Sequence, residues 1–229
     1  GALGTIATRD EERIEAWTKI VADAVQGVPQ DATSHYGLEA TRVAVWNLGS
    51  MGSAACAAVP ILEALALSGR DSWSRIAAVA ALGQVGACGD RATPTLIHLA
   101  AKWTRKADYD LATYALSALR DVGTDTAIEA RVSFLLAGFL HGRDYILRNA
   151  EHMPLELDML TDALSSDDLS VRCNAATALG GLGAHGAPAL FALETATGHD
   201  DEAMREAAEI AIDRIRDDIR QQQERSRDE

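Results

Sequence analysis

Charged side chains four residues apart share a helix face, where they can meet a charged partner, or in the case of paired carboxylates exchange protons with a substrate. His98 with Lys102 and Asp158 with Asp162 have this spacing, and Arg131 lies between the two pairs in the chain. With 34 acidic residues in 229, carboxylate pairs are ordinary here and do not by themselves point to catalysis. The six histidines form no HExxH pair, and none stands one helical turn from a cysteine or another histidine, so the usual metal-ligand spacing is missing. His199-Asp200-Asp201-Glu202 could hold a cation, but it stands where a helix opens, and capping explains it better. There is no GxSxG, P-loop or GxGxxG, and Gly180-Gly181-Leu182-Gly183 follows a helical pattern, not a strand. Cys56, Cys88 and Cys173 sit among small apolar residues, an odd and widely spaced set that reads as buried free thiols in a reducing compartment. No cofactor, metal or catalytic residue is expected.

Composition narrows the classes further. The formal charge of -13 has the wrong sign for a generic nucleic-acid surface, which needs clustered Lys and Arg, and for an anionic membrane surface. No apolar run approaches the ~20 residues of a membrane span, and no signal peptide is visible. These features predict a cytoplasmic protein. The chain begins at Gly1 rather than Met, as a tag remnant or a fragment of a longer protein would. Lysine is confined to Lys19, Lys102 and Lys106 while arginine and alanine abound, which resembles the output of a GC-rich bacterial gene. Hydrophobic residues make up 48% of the chain and aromatic ones only 5%, a mixture that suits closely packed helices better than a sheet.

The elements that would position the charged pairs show up as a repeat. Four prolines, Pro60, Pro94, Pro154 and Pro188, stand in one local pattern, with Ala127 in the matching slot between the second and third. The slots are 34, 33, 27 and 34 residues apart, a period that signals stacked supersecondary units. Before three of the slots come Ala81-Leu82-Gly83-Gln84-Val85-Gly86, Ala118-Leu119-Arg120-Asp121-Val122-Gly123 and Ala178-Leu179-Gly180-Gly181-Leu182-Gly183; Asn47-Leu48-Gly49-Ser50-Met51-Gly52 is a looser copy. Glycine ends a helix well and proline opens one well, so each unit reads as helix A, a glycine turn, then helix B. Asp71, Asp108, Asp144, Asp168 and Asp201 stand where the A helices should start, as capping acids. Thr8 with Glu11 makes a capping box for a first helix.

The spacing predicts A helices near 36–49, 72–83, 109–121, 144–152, 168–181 and 201–220. B helices are predicted near 55–67, 91–103, 125–140, 154–165 and 187–197. The expected fold is all-α, a right-handed α-solenoid of about five helix pairs in a single domain over 1–229. A capping helix at 9–26 precedes the pairs at 36–199, a second cap follows at 200–221, and a polar tail at 222–229 should fray.

Asp71–Gly86 (DSWSRIAAVAALGQVG) and Asp168–Gly183 (DLSVRCNAATALGGLG) resemble HEAT repeats of the short bacterial kind first named from phycobilisome lyases. The matching elements are the Asp, an Arg four on (Arg75, Arg172), an Ala three further (Ala78, Ala175), then Ala-Leu-Gly. The resemblance covers roughly residues 36–215 and weakens in the fourth unit. It implies that the Asp and Arg positions form a ladder between neighbouring repeats and that the B helices line a concave side. HEAT-like hydroxylases carry His-Glu dipeptides, which this chain lacks, and HEAT-fold DNA glycosylases use aromatic residues in a basic groove. Trp17, Trp46, Trp73 and Trp103 are therefore expected in core or edge packing.

Counted from the proline slot, the position five on is apolar throughout: Leu65, Leu99, Val132, Met159 and Leu193. Four on it is Ala64, His98, Arg131, Asp158 and Ala192, and eight on it is Ser68, Lys102, Leu135, Asp162 and Ala196. The expected partner-binding stripe is His98, Lys102, Arg131, Asp158 and Asp162, facing solvent. The function this favours is a non-catalytic scaffold or regulatory module for a protein partner. The alternatives are a small-molecule or chromophore-handling, lyase-like enzyme using the same groove, and further off a HEAT-fold DNA glycosylase. Leu82→Ala and Leu179→Ala should each cost about 2–5 kcal/mol in denaturant unfolding, the range for a truncated core leucine. A cost within ~0.5 kcal/mol, the surface value, would displace both from the core.

Overall fold

The computed structural model describes residues 2–26, 35–69, 71–105, 109–138 and 154–228. Among them there are eleven α-helices and no strand. They are α1 (Ala2–Gln26), α2 (His35–Ser50), α3 (Val59–Ser68), α4 (Ser72–Gln84), α5 (Thr93–Arg105) and α6 (Tyr109–Val122). The rest are α7 (Asp125–Leu136), α8 (Pro154–Ala163), α9 (Leu169–Gly181), α10 (Leu190–Ala196) and α11 (Glu202–Asp228). The expected A helix at 144–152, with Asp108 and Asp144, lies outside the described residues.

The chain divides into two compact units, Gly1–Ala127 and Ile128–Glu229. In the first, α1 covers α2 and α3, the A helices α2, α4 and α6 pack in series, and each B helix packs on the A helix that follows it. In the second, α9 packs between α8 and α11, and α10 lies on α11. Repetition of one helix-pair contact is what the 34-residue punctuation predicts. Leu82 and Leu179 are both fully buried.

Caps account for the starts of the A helices. An Asp71 carboxylate oxygen accepts from Ser74 N at 2.8 Å, Asp168 from Ser170 N at 2.7 Å and Asp201 from Ala203 N at 2.9 Å, satisfying first-turn N–H groups. The arginine four residues on turns back to its own repeat. Arg172 donates to the Ser166 carbonyl at 2.5 Å, and Arg205 to the His199 and Asp200 carbonyls at 2.8 Å each. Arg75 reaches Ser72 Oγ at 3.0 Å. At α4, α9 and α11 the expected ladder between repeats is thus a set of local clamps on the loop or first turn of the helix. Cross-repeat bonds come from other residues: Thr95 Oγ1 to Glu63 at 2.5 Å, Thr124 Oγ1 to Asp90 at 2.9 Å, and Ala184 N to Asp218 at 2.8 Å.

Two further expectations change. Helix α1 begins at Ala2, so Thr8 lies inside it and cannot be its cap. Helix α11 runs to Asp228, beyond the expected cap end at 221, with Gln222 donating to Asp218, Arg225 to the Gln221 carbonyl and Arg220 paired with Asp217, contacts within the helix itself.

The glycines divide the work of the repeat marker. Gly52, Gly86, Gly123 and Gly183 have φ of +56°, +69°, +70° and +56°, the left-handed conformation that ends a helix. A 3₁₀ turn follows at Gly52–Ala58, Gly86–Ala92 and Gly183–Ala189. Proline then falls in the first turn of α3, α5 and α8, while Pro188 sits within its 3₁₀ turn, so α10 starts only at Leu190. Gly49, Gly83 and Gly180 lie inside their helices and have a different task. A Cβ on Gly83 would stand 2.8 Å from Ala118 Cα, one on Gly180 2.7 Å from Ala211 Cα, and one on Gly49 3.1 Å from Ala81 Cα. Consecutive A helices therefore touch backbone to backbone. Gly83→Ala should destabilise the protein by about 1–3 kcal/mol through overpacking, although alanine favours a helix by ~1 kcal/mol. Urea unfolding reads this, and a stabilised variant would show that α4 and α6 do not meet there.

Candidate functional site

The B helices carry the candidate residues, and their buried faces fix which side chains can point outward. Val59 and Thr93, just before the proline, are buried; past it the buried positions are Leu62, Leu65 and Ala66 in α3 and Leu96, Leu99, Ala100 and Trp103 in α5. Counted from the proline these stand two, five, six and nine on. In α7 the buried positions are Ala127, Ile128, Arg131, Val132 and Leu135, and all but Ala127 fall into that pattern with Thr126 as the slot. The Ala127 register is thus one residue late. One residue rotates a helix by about 100°, enough to turn a solvent position into a core position.

Arg131 is the consequence. It is 0% exposed rather than solvent-facing, the reverse of what the stripe required. It occupies the column of Leu65 and Leu99, and its guanidinium is paired with the Glu156 carboxylate of α8, which is equally buried and stands two residues on from Pro154, in the column of Leu62 and Leu96. Two opposite charges have replaced two core leucines on facing helices. With Thr126 as the slot, the outward columns become Ala64, His98, Ala130, Asp158 and Ala192, then Ser68, Lys102, Phe134, Asp162 and Ala196.

His98, Asp158 and Asp162 are exposed, and Lys102 is half-buried. None of the four side chains has a hydrogen-bond or ion-pair partner among the described residues. His98 and Lys102 lie one turn apart on α5 in the first unit, Asp158 and Asp162 one turn apart on α8 in the second. Beside the second pair lies an open groove of about 520 Å³ between α8 and α10, lined by Thr161, Leu164 and Ser165 on one side and Phe191, Ala192, Thr195 and Ala196 on the other. Phe191, at 80% exposure, was not singled out by sequence because it falls outside both outward columns. A second cleft of similar size, lined by Gly183, His185, Arg214, Asp217, Asp218 and Arg225, is strongly polar.

Other candidates resolve differently from expectation. Cys56 and Cys88 form a disulfide with Cα atoms 5.5 Å apart, within the usual bridging range. It ties the 3₁₀ turn of one repeat to that of the next, and its separation of 32 residues, close to the repeat period, is the sequence signal for it. The free-thiol reading therefore fails for this pair, and with it the cysteine argument for a reducing compartment. Cys173 is free and half-buried. Burial pushes its thiol up from the ordinary value, the Asp201 carboxylate adds to this and Arg172 opposes it, so the thiol is a poor nucleophile at neutral pH. Trp103 is buried, as expected, but Trp46 and Trp73 are 68% and 64% exposed. No group of three His, Cys, Asp or Glu side chains among the described residues could hold a metal ion. No described helix is long and apolar enough to cross a membrane.

Residues 74–102, most of α4 with its glycine turn and α5 almost to its end, match the family model of the PBS lyase HEAT-like repeat. The described residues form an all-α fold, and this stretch is similar to one HEAT-like helix pair. Similar solved structures are an engineered protein (17% identity, 89% of this chain and 97% of that one, TM-score 0.34) and a designed armadillo repeat protein in complex with the peptide (KR)4 (15% identity, 86% and 98%, TM-score 0.36). Another designed armadillo repeat protein matches at 16% identity over 86% of this chain and 99% of that one, with a TM-score of 0.33. No curated protein matches the chain in sequence.

Arg131→Leu should cost about 3–5 kcal/mol, because it leaves the Glu156 carboxylate buried without its counter-ion. Joining it to Glu156→Leu should restore most of that loss or exceed it, since an apolar pair can replace a buried ion pair at no net cost. Chemical denaturation of the single and double variants checks both. A double variant no better than the single would show that Glu156 is not the partner that matters.

Proposed function

We propose that this chain is a non-catalytic scaffold that binds a protein partner through the outward faces of its B helices. The supporting observation is the contrast within each helix: a fully buried column beside charged residues that have no partner among the described residues. His98 and Lys102 present a basic pair in the first unit, Asp158 and Asp162 an acidic pair in the second. Arg131, a core residue, leaves the set. Helical repeats offer extended surfaces of this kind. The charge of -13 supports a protein partner over a nucleic acid or an anionic membrane.

The family name of residues 74–102 favours one second reading, a chromophore-handling, lyase-like enzyme working on the same face. It predicts that the purified chain binds a linear tetrapyrrole with a shifted absorbance band.

A photo-crosslinking residue placed at position 98 or 158 should give a defined adduct with a protein partner, while one at Ser72, exposed on α4, should not. Lys102→Glu should remove the adduct formed at position 98, and Asp162→Lys the one formed at position 158. Tm should move by no more than about 2–4 °C, the equivalent of ~1 kcal/mol at this size, because exposed charges contribute little to folding. Adducts that survive both reversals would make these residues an ordinary solvated face.

A further inference from the structure

We propose that the groove between α8 and α10 receives a segment of a partner protein in which an apolar side chain is flanked by arginine or lysine. This rests on the scaffold reading above and names the chemistry of the partner in the second unit. A lone exposed apolar side chain is ordinary on a protein surface. Phe191 is different because of its place: it stands at the wall of a groove whose other lining includes Leu164, Ala192, Ala196 and the fully buried Met204. An aromatic ring beside a preformed apolar channel offers a large, stiff contact area at little entropic cost.

Charge decides what flanks the apolar residue. Residues 1–127 hold eleven basic and fourteen acidic side chains, while 128–229 hold ten basic and twenty acidic ones. The acidity of the chain is thus concentrated in the unit that carries the groove. Among the described residues, Arg172 is engaged with the Ser166 carbonyl, Arg205 with the carbonyls of His199 and Asp200, and Arg216 with Glu194. Asp158 and Asp162 are exposed, and among the described residues no cation answers them. Their stripe on α8 runs directly beside Thr161 and Ser165, which line the groove, since residues three apart are neighbours on a helix. A cationic side chain next to the docked apolar one would meet both carboxylates.

His199, also in the lining, accepts the Asp201 N–H on Nδ1 at 3.0 Å. In the neutral ring this leaves Nε2–H as a donor, suited to a backbone carbonyl of the bound segment.

The test uses the full chain and three fluorescein-labelled peptides of equal length: alternating Arg and Leu, alternating Arg and Ser, and alternating Glu and Leu. Anisotropy is read at about 0.15 M salt, where long-range attraction is screened. The Arg-Leu peptide should bind at least about tenfold more tightly than Arg-Ser, and Glu-Leu should not bind. Phe191→Ser should weaken Arg-Leu about tenfold and leave Arg-Ser unchanged. Asp158→Asn with Asp162→Asn should weaken both basic peptides and flatten their salt dependence. Helical content and Tm confirm that each variant folds. Equal binding of all three peptides, or Arg-Leu binding indifferent to both variants, overturns the proposal. If Arg-Leu fails to bind while crosslinking at position 158 still yields a partner adduct, the scaffold reading stands and the basic, apolar segment does not. If neither occurs, both fall.

Discussion

Two helices can bring their backbones together only where the side chains at the crossing are small, and in this protein that crossing is repeated. Gly49 against Ala81, Gly83 against Ala118 and Gly180 against Ala211 are the points where one A helix meets the next, and a methyl group on Gly83 or Gly180 would stand within 3 Å of a neighbouring Cα. The closeness sets the distance at which everything else must fit. Leu82 and Leu179, next to those glycines, are fully buried because the helices are near enough to enclose them. The B helices pack behind, and their outer columns are exposed because the inner ones are already committed. In α6 the same position is Arg120, paired with Asp121, so the third repeat lacks the residue on which the other A-helix contacts depend.

The Arg131–Glu156 pair obeys the same geometry with different chemistry. Core columns of a helix pair are filled by position, not by polarity, and a charge that lands in one must find an opposite charge or carry the full cost of its burial. Arginine and glutamate landed in facing columns of α7 and α8 and neutralise each other. Such a pair adds little stability over two leucines but is intolerant of misalignment, because a slip by one residue would strand both charges in an apolar interior. A register-fixing role suits the stretch where the slot spacing falls to 28 residues, from Thr126 to Pro154, and the repeat is least regular.

Most of the fold could be read from punctuation. Periodic glycine and proline placed the described helices close to their observed bounds, because those two residues act through local backbone geometry that a sequence displays directly. What escaped were features set by contact between elements. The interior glycines were read as helix stops, since a close approach to another helix has no local signature. The ladder arginines turned out to clamp their own loops, a short reach that spacing alone does not distinguish from a longer one. Arg131 falls outward when the slot is anchored on Ala127, a residue type as much at home inside as outside. Anchoring on Ile128, Val132 and Leu135 would have shown the arginine to be interior. The cysteine pair was hidden by the odd total, although its 32-residue separation matched the repeat.

The candidate site was legible to the extent that it follows the outward column and no further. His98, Asp158 and Asp162 were found because a repeat superposes equivalent positions, and superposition tells which residues share a face. Phe191 belongs to no such column; it lies one position short of Ala192, in the first turn of α10, which starts only at Leu190 after Pro188 in the 3₁₀ turn. Helix α10 has only seven residues, and the groove lies between it and α8. Repeats make a surface by regularity, and the groove between α8 and α10 lies where that regularity is broken.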